Sequence, residues 1–136
     1  MAENTVLKEP LTNGMIDAGA HLVRKLDEMG VEVTSALWLL DTEINEWRLL
    51  LASPVVSQQG PRTMYGKVQL ARDELDESDS AVLFSAVSVA PENADLITRL
   101  RATVHTGSAI ERIRFSKNVA DGHFIEDALI YRSLRR

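Results

Sequence analysis

Residues 110–134 read IERIRFSKNVADGHFIEDALIYRSL and decide the fold of this 136-residue chain. An Asp-Gly pair at 121–122 separates two strand-like runs, which is the strongest short-range signal of a β-hairpin. A two-residue loop there pairs residues whose numbers sum to 243. One face then carries two apolar pairs flanked by two charge pairs: Phe115–Ala128, Ile113–Ile130, Lys117–Glu126 and Glu111–Arg132. Because a one-residue slip would destroy all four pairs, this register is strongly specified.

The opposite face of this hairpin mixes polar, charged and apolar side chains, with Ile125 and Leu129 among the apolar ones. Arginine and tyrosine dominate protein interfaces, so this face predicts a contact surface formed by Arg112, Arg114, Tyr131 and Asp127. A partly solvated face, with arginine stems lying over apolar neighbours, is the alternative. If the final strand is also a sheet edge, it favours strand-to-strand dimerisation.

A second hairpin is predicted over residues 31–52. Two apolar runs flank residues 41–46, where Asn45 suits the left-handed conformation of a four-residue loop. With Asp41 facing Glu46, Trp38 meets Leu49 and both tryptophans lie on one face. In the first of these strands, Val31 and Val33 are expected on the same face as Leu37.

Three helices and one more strand complete the pattern. Apolar residues recur at helical spacing over residues 13–29, 61–76 and 91–107, and the apolar run 81–89 indicates a buried central strand. The order α-β-β-α-β-α-β-β predicts an α/β fold, bordering on α+β, with one mixed five-stranded sheet and three helices. Right-handed crossovers would make strands 2, 3 and 4 parallel. We expect a flexible N-terminal lead-in at 1–11 and a single α/β domain at 12–136.

Composition excludes several classes of protein. The chain has no cysteine, so it holds no disulfide framework, cysteine-ligated metal or thiol nucleophile. No apolar run approaches the roughly 18 residues of a membrane span, and the N-terminus lacks a secretory leader. We therefore expect a cytoplasmic protein without membrane contact. The formal net charge of -5 combines an acidic body with a C-terminal third that is slightly basic.

Reactive motifs are missing from the sequence. Its three histidines are not spaced to share a metal, and neither a serine-nucleophile elbow nor a glycine-rich nucleotide loop is present. We therefore expect no metal and no cofactor. Topology still points to one ligand site, because the loops after strands 2 and 3 lead into helix N-termini that attract anions. Gln58, Arg62 and Asn93 would frame a small anion there.

Together these observations favour a non-enzymatic accessory or regulatory module that forms a homodimer or binds a protein partner. Two alternatives stay open. A small enzyme could assemble Asp, Glu, His and Arg side chains from distant segments, for example Glu126 or Asp127 with His105 and an arginine. A nucleic-acid-associated protein could use the C-terminal basic face, although the acidic balance of the whole chain disfavours this class.

Overall fold

A computed structural model describes residues 10–135, so the predicted lead-in at 1–11 lies almost wholly outside the described residues. Within that range the chain forms one mixed five-stranded sheet, as predicted, in the order β3-β2-β1-β5-β4. The strands are β1 (Ser35–Asp41), β2 (Glu46–Ala52), β3 (Val87–Ala90), β4 (Ile113–Ala120) and β5 (His123–Ser133). The helices are α1 (Asn13–Glu28), α2 (Pro54–Gln59), α3 (Pro61–Asp73), α4 (Glu77–Leu83) and α5 (Asp95–Thr103). The domain boundary at residue 12 stays a prediction.

Both predicted hairpin registers are confirmed. In the first hairpin Asp41 faces Glu46 and Trp38 faces Leu49, and the loop closes with Asn45 at φ 54°. In the second hairpin the ladder runs from Ile113–Ile130 to Ala120–His123, with every pair summing to 243. Antiparallel neighbours joined by a short turn are specified locally, so the sequence is enough to align them.

The tip of the second hairpin departs from strict alternation. Lys117 has φ 46°, a left-handed conformation that interrupts the pleat, and no Lys117–Glu126 pair forms in the ladder. Ile125 was expected on the face opposite Phe115. It instead lies on the same face as Phe115 and packs with α5. The predicted Glu111–Arg132 pair is also wrong, because the Arg132 guanidinium donates to Asp27 instead.

The predicted central strand at 81–89 is wrong. Asp76 caps a short helix by accepting a hydrogen bond from the Asp79 backbone N–H at 2.8 Å. Two carboxylates, Glu77 and Asp79, lie in the first turn, where the helix dipole favours negative charge. The helix therefore takes the first part of the apolar run, and only Val87–Ala90 remains as a short strand at the edge of the sheet.

Two further helix boundaries differ from the prediction. Ser53 caps α2 directly after β2, so residues 54–59 are helical where a loop after strand 2 was predicted. The last helix ends at Thr103 and not near residue 107. The described residues therefore contain five helices where the sequence predicted three. Short helices of one or two turns carry too few periodic positions to stand out in a sequence.

The strand directions also correct the prediction. β2 and β3 are parallel, as expected, but β4 is antiparallel to both of them. The two hairpins adjoin through β1 and β5, where Leu37 pairs with Ile130 and Trp38 with Leu129. β1 and β5 are apolar on both faces, and both faces of a strand are shielded best from water in the interior of the sheet. β5 is therefore internal, and dimerisation through its edge is ruled out.

Helices cover the two faces of the sheet unequally. α1, α3 and α4 pack on the face that carries Trp38, Leu49 and Tyr131. Val31 and Val33 join this cluster, contrary to the prediction, because β1 starts only at Ser35. α5 packs on the opposite face, against Leu37, Phe115 and Ile130 among others.

Tyr131 should resist ionisation while the protein is folded. Burial raises the pKa of its phenol, and its O–H donates to the Ile16 carbonyl at 2.6 Å. The raised pKa adds stability that is fully present below the ordinary pKa of about 10 and is lost as pH rises through the folded value. In a Tyr65→Phe variant, which leaves one tyrosine, tyrosinate absorbance should appear only together with loss of circular dichroism. Reversible ionisation near pH 10 with an unchanged spectrum would contradict this.

Candidate binding groove

The α5 face of the sheet is only partly covered. α5 has nine residues, about 13 Å of helix, whereas five strands span about 19 Å between their outer axes. It packs over the β4 and β5 side of the sheet through Ile97 and Leu100. Leu39 and Leu50, on β1 and β2, are left half-buried on the same face.

The tip of the second hairpin forms the wall of a groove over this uncovered region. Lys117 interrupts the pleat below the tip, and Arg99 Nη1 of α5 donates to the Asp121 carbonyl at the tip. Gly122 lies at φ 84°, and a Cβ there would come 3.3 Å from Arg99 Nη1. The contact between α5 and the tip thus fixes the following segment, His123 to Glu126, opposite the end of the first hairpin.

The resulting cavity measures about 620 Å³, within the usual range for small-ligand sites. Its apolar part includes Leu39, Leu50 and Ile125, and Phe124, which is 57% exposed. The other lining residues are Leu40, Asp41, Thr42, Glu43, Arg48, Ser88, His123 and Glu126. We call this cavity the acid-rimmed groove.

Charge is distributed unevenly around the acid-rimmed groove. Three carboxylates, those of Asp41, Glu43 and Glu126, line it. Asp41 also orders the loop, since its Oδ1 accepts from the Glu43 backbone N–H at 3.0 Å. The single guanidinium, that of Arg48, is held against the start of β3. It donates to Ser88 Oγ at 2.9 and 3.2 Å and to the Val87 carbonyl at 3.0 Å. The negative side chains therefore outnumber the fixed positive one.

The predicted anion-site residues lie outside this groove. Gln58 lies in α2, Arg62 is the second residue of α3, and Asn93 lies in the turn before α5. All three side chains are exposed, and none lines the acid-rimmed groove or the smaller cavity of about 280 Å³ beside Trp47. The anion site stays a prediction.

The predicted contact surface is partly paired within the chain. Arg114 forms two hydrogen bonds of 2.7 Å with Asp127, which raise the pKa of its guanidinium, and Arg112 lies 3.0 Å from Asp17. Tyr131 is completely buried under α1, where its hydroxyl accepts from Trp38 Nε1 at 2.9 Å. It therefore belongs to the core and not to the surface. A contact role for Arg112, Arg114 and Asp127 stays a prediction.

The three histidines lie in different places. His21 Nδ1 is 2.6 Å from Asp79 Oδ2, which joins α1 to α4. His105 follows α5 and lines neither of the two cavities. Neither cavity therefore combines His105 with Glu126 or Asp127. His123 instead shares the groove with Glu126 and Arg48. Among residues 10–135, no group of three or more His, Asp or Glu side chains could hold a metal ion.

Sequence reasoning missed this groove because its parts come from four strands. The first hairpin supplies Asp41 and Arg48, β3 supplies Ser88, and the second hairpin supplies Phe124 and Glu126. The sequence predicts the register within each hairpin correctly. That the two hairpins are neighbours depends on the order of strands in the sheet, which the sequence does not predict. A local signal did exist in Phe124, a large apolar side chain two residues after the Asp-Gly turn.

Comparison with protein-family models, with curated proteins and with solved structures yields no match. No helix within residues 10–135 combines the length and the apolar character needed to cross a membrane. The groove and its chemistry are therefore the basis for an inference about function.

Proposed function

We propose that this chain is a non-enzymatic accessory module that binds a protein partner in the acid-rimmed groove. The observation that carries the proposal is the concave site of about 620 Å³ with an apolar floor on an uncovered sheet face. A concave site of this size and lining accommodates an inserted side chain or a small ligand better than a flat surface does. The cytoplasmic location expected from composition is part of the same proposal.

Apolar burial would supply most of the affinity. Phe124 is 57% exposed, and Leu39 and Leu50 are half-buried, so all three still present apolar surface to water. Burying one aromatic or aliphatic side chain of a partner contributes about 1.5–3 kcal/mol. A single inserted residue therefore gives weak binding, and the partner needs additional contacts at the rim.

The rim determines which partner is favoured. Asp41, Glu43 and Glu126 surround the apolar floor with negative charge. Complementary charge improves specificity and the rate of association, while like charge is rejected. The preferred segment is therefore one with an apolar side chain next to lysine or arginine.

Matched capped peptides test this preference. Lys-Phe-Lys should perturb the amide resonances of β1, β2 and the Phe124 region more strongly than Glu-Phe-Glu or Lys-Ser-Lys does. Phe124→Ala should weaken binding of Lys-Phe-Lys about fivefold, since part of one aromatic contact is lost. Ile44→Ala is the matched control, because Ile44 is 56% exposed but does not line the groove. Equal responses to all three peptides, or an equal effect of the two variants, would refute the proposal.

The enzyme alternative has one observation in its favour, which is that His123, Glu126 and Arg48 line the same groove. A histidine and a carboxylate in one cleft could act as general acid and base. The decisive result would be turnover of a substrate that is lost in His123→Ala while peptide binding persists. The nucleic-acid alternative is weakened, because Arg112 and Arg114 are paired with Asp17 and Asp127.

A further inference from the structure

Phe84 is the most exposed large apolar side chain within residues 10–135, with 72% of its surface accessible. It follows the last residue of α4 and is held by Arg72 of α3. Arg72 Nη1 donates to the Phe84 carbonyl at 3.1 Å, and the guanidinium carbon lies 5.3 Å from the ring centroid. We call this pair the Phe84–Arg72 knob. Because these contacts pre-order the knob, little conformational freedom remains to be lost on binding.

The knob lies close to the acid-rimmed groove without entering it. Arg48, which lines the groove, donates through Nη1 to the carbonyl of Ser85, the residue after Phe84. Phe84 itself is not among the lining residues. The chain thus carries a projecting apolar and cationic feature on the α3 and α4 side of the sheet, and Arg48 links it to a concave apolar and anionic feature on the α5 side.

We propose that the partner in the acid-rimmed groove is a second copy of this chain, whose Phe84–Arg72 knob enters it. The proposal rests on the proposed function, since it identifies the occupant of the same groove. The Phe84 ring packs against Leu39, Leu50 and Phe124, and the Arg72 guanidinium meets the rim carboxylates Asp41 and Glu43.

The proposed pair is closed, and only the local charge match at the rim favours it. In this pair a two-fold axis relates two identical contacts, in which each copy inserts its knob into the groove of the other, so the contact is reciprocal and does not propagate. Two chains that each carry a formal net charge of -5 repel one another at long range. Association therefore depends on the local match between Arg72 and the rim, and it is expected to be weak.

Sedimentation velocity from about 10 µM to about 1 mM tests the pairing. The average mass should rise toward twice that of one chain, and Phe84→Ser should raise the dissociation constant at least about tenfold. Phe84 is exposed, so this variant should keep its fold, which thermal unfolding checks. Leu70→Ser is the control, because Leu70 is 61% exposed on the same helix as Arg72 but belongs to neither knob nor groove.

Reciprocal charge reversal tests the predicted contact itself. Arg72→Glu and Glu43→Arg should each weaken self-association, because each homodimer then contains two like-charge contacts. Mixing the two variants should restore pairing, since both contacts of the mixed dimer join opposite charges. Native mass spectrometry distinguishes the mixed dimer from either homodimer.

The results separate this inference from the proposed function. A chain that binds Lys-Phe-Lys but stays monomeric up to about 1 mM would assign the groove to a different protein and overturn the pairing alone. Self-association that survives Phe84→Ser, or that mixing does not restore, would also overturn it. Absence of peptide binding together with a monomeric chain would overturn both proposals.

Discussion

Gly19→Ala is expected to destabilise the protein by about 2–4 kcal/mol, although alanine is the better helix former. Gly19 lies on the buried face of α1, and a Cβ built there would come 2.8 Å from Trp38 Nε1 and still closer to the Tyr131 hydroxyl. Overpacking of this kind costs about 1–3 kcal/mol, and occasionally more. The gain in helix propensity is only about 1 kcal/mol. Steric conflict therefore outweighs propensity at this position.

The added methyl group would also disturb a buried hydrogen-bond network. Trp38 Nε1 donates to Tyr131 Oη at 2.9 Å and to the Met15 carbonyl at 3.2 Å, and the Tyr131 hydroxyl donates to the Ile16 carbonyl. These bonds join α1 to the middle of the sheet. Each one that is broken without replacement adds about 1 kcal/mol to the cost, which brings the sum into the expected range.

Gly66→Ala provides the matched control in another helix. Gly66 is exposed on α3, and a Cβ there would have no neighbour within 4 Å. Alanine should therefore stabilise the protein by about 0.5–1 kcal/mol through helix propensity alone. Urea unfolding of the two variants measures the difference in sign. Two alanines that both stabilise would show that α1 does not need close approach to the sheet.

The sequence predicted an element of this fold correctly when the residues that determine the element lie within or directly beside it. The two hairpin registers were correct because Asn45 and the Asp-Gly turn act within a few residues of the strands they join. The prediction of a strand over residues 81–89 was wrong. Asp76, which precedes this run, caps a helix that includes residues 81–83. An apolar run of that length suits a buried strand or a buried helix, and periodicity alone does not separate them.

The candidate site was less predictable than the fold. The acid-rimmed groove exists because β1 adjoins β5, which brings Asp41 beside Glu126 from far along the chain. Arg112 and Arg114, which were expected on a contact surface, each pair with a carboxylate: Arg114 with Asp127 in the same hairpin, and Arg112 with a partner that depends on a tertiary contact. Asp17 of α1 approaches Arg112 only after the helix packs on the sheet.

Asp27→Ala is the second variant for which we expect a large loss, about 2–3 kcal/mol. The Arg132 side chain is only 5% exposed, and its guanidinium donates to both carboxylate oxygens of Asp27, at 3.0 and 2.7 Å. It also donates to the Val33 carbonyl at 3.1 Å. Removing one partner of a fully buried pair costs about 3–5 kcal/mol. We expect less here because Asp27 is 39% exposed and water can partly replace it.

A double variant separates the loss of the pair from the burial of an unpaired charge. Arg132→Met in the Asp27→Ala background removes the guanidinium and retains a long apolar side chain, so most of the lost stability should return. Asp17→Ala is the exposed control, since Asp17 and its partner Arg112 are both 52% exposed and such pairs contribute about 0–1 kcal/mol. If Asp27→Ala cost no more than Asp17→Ala in urea unfolding, the Arg132 charge would be adequately solvated without its partner. The link from the end of α1 to β5 would then have to come from apolar packing alone.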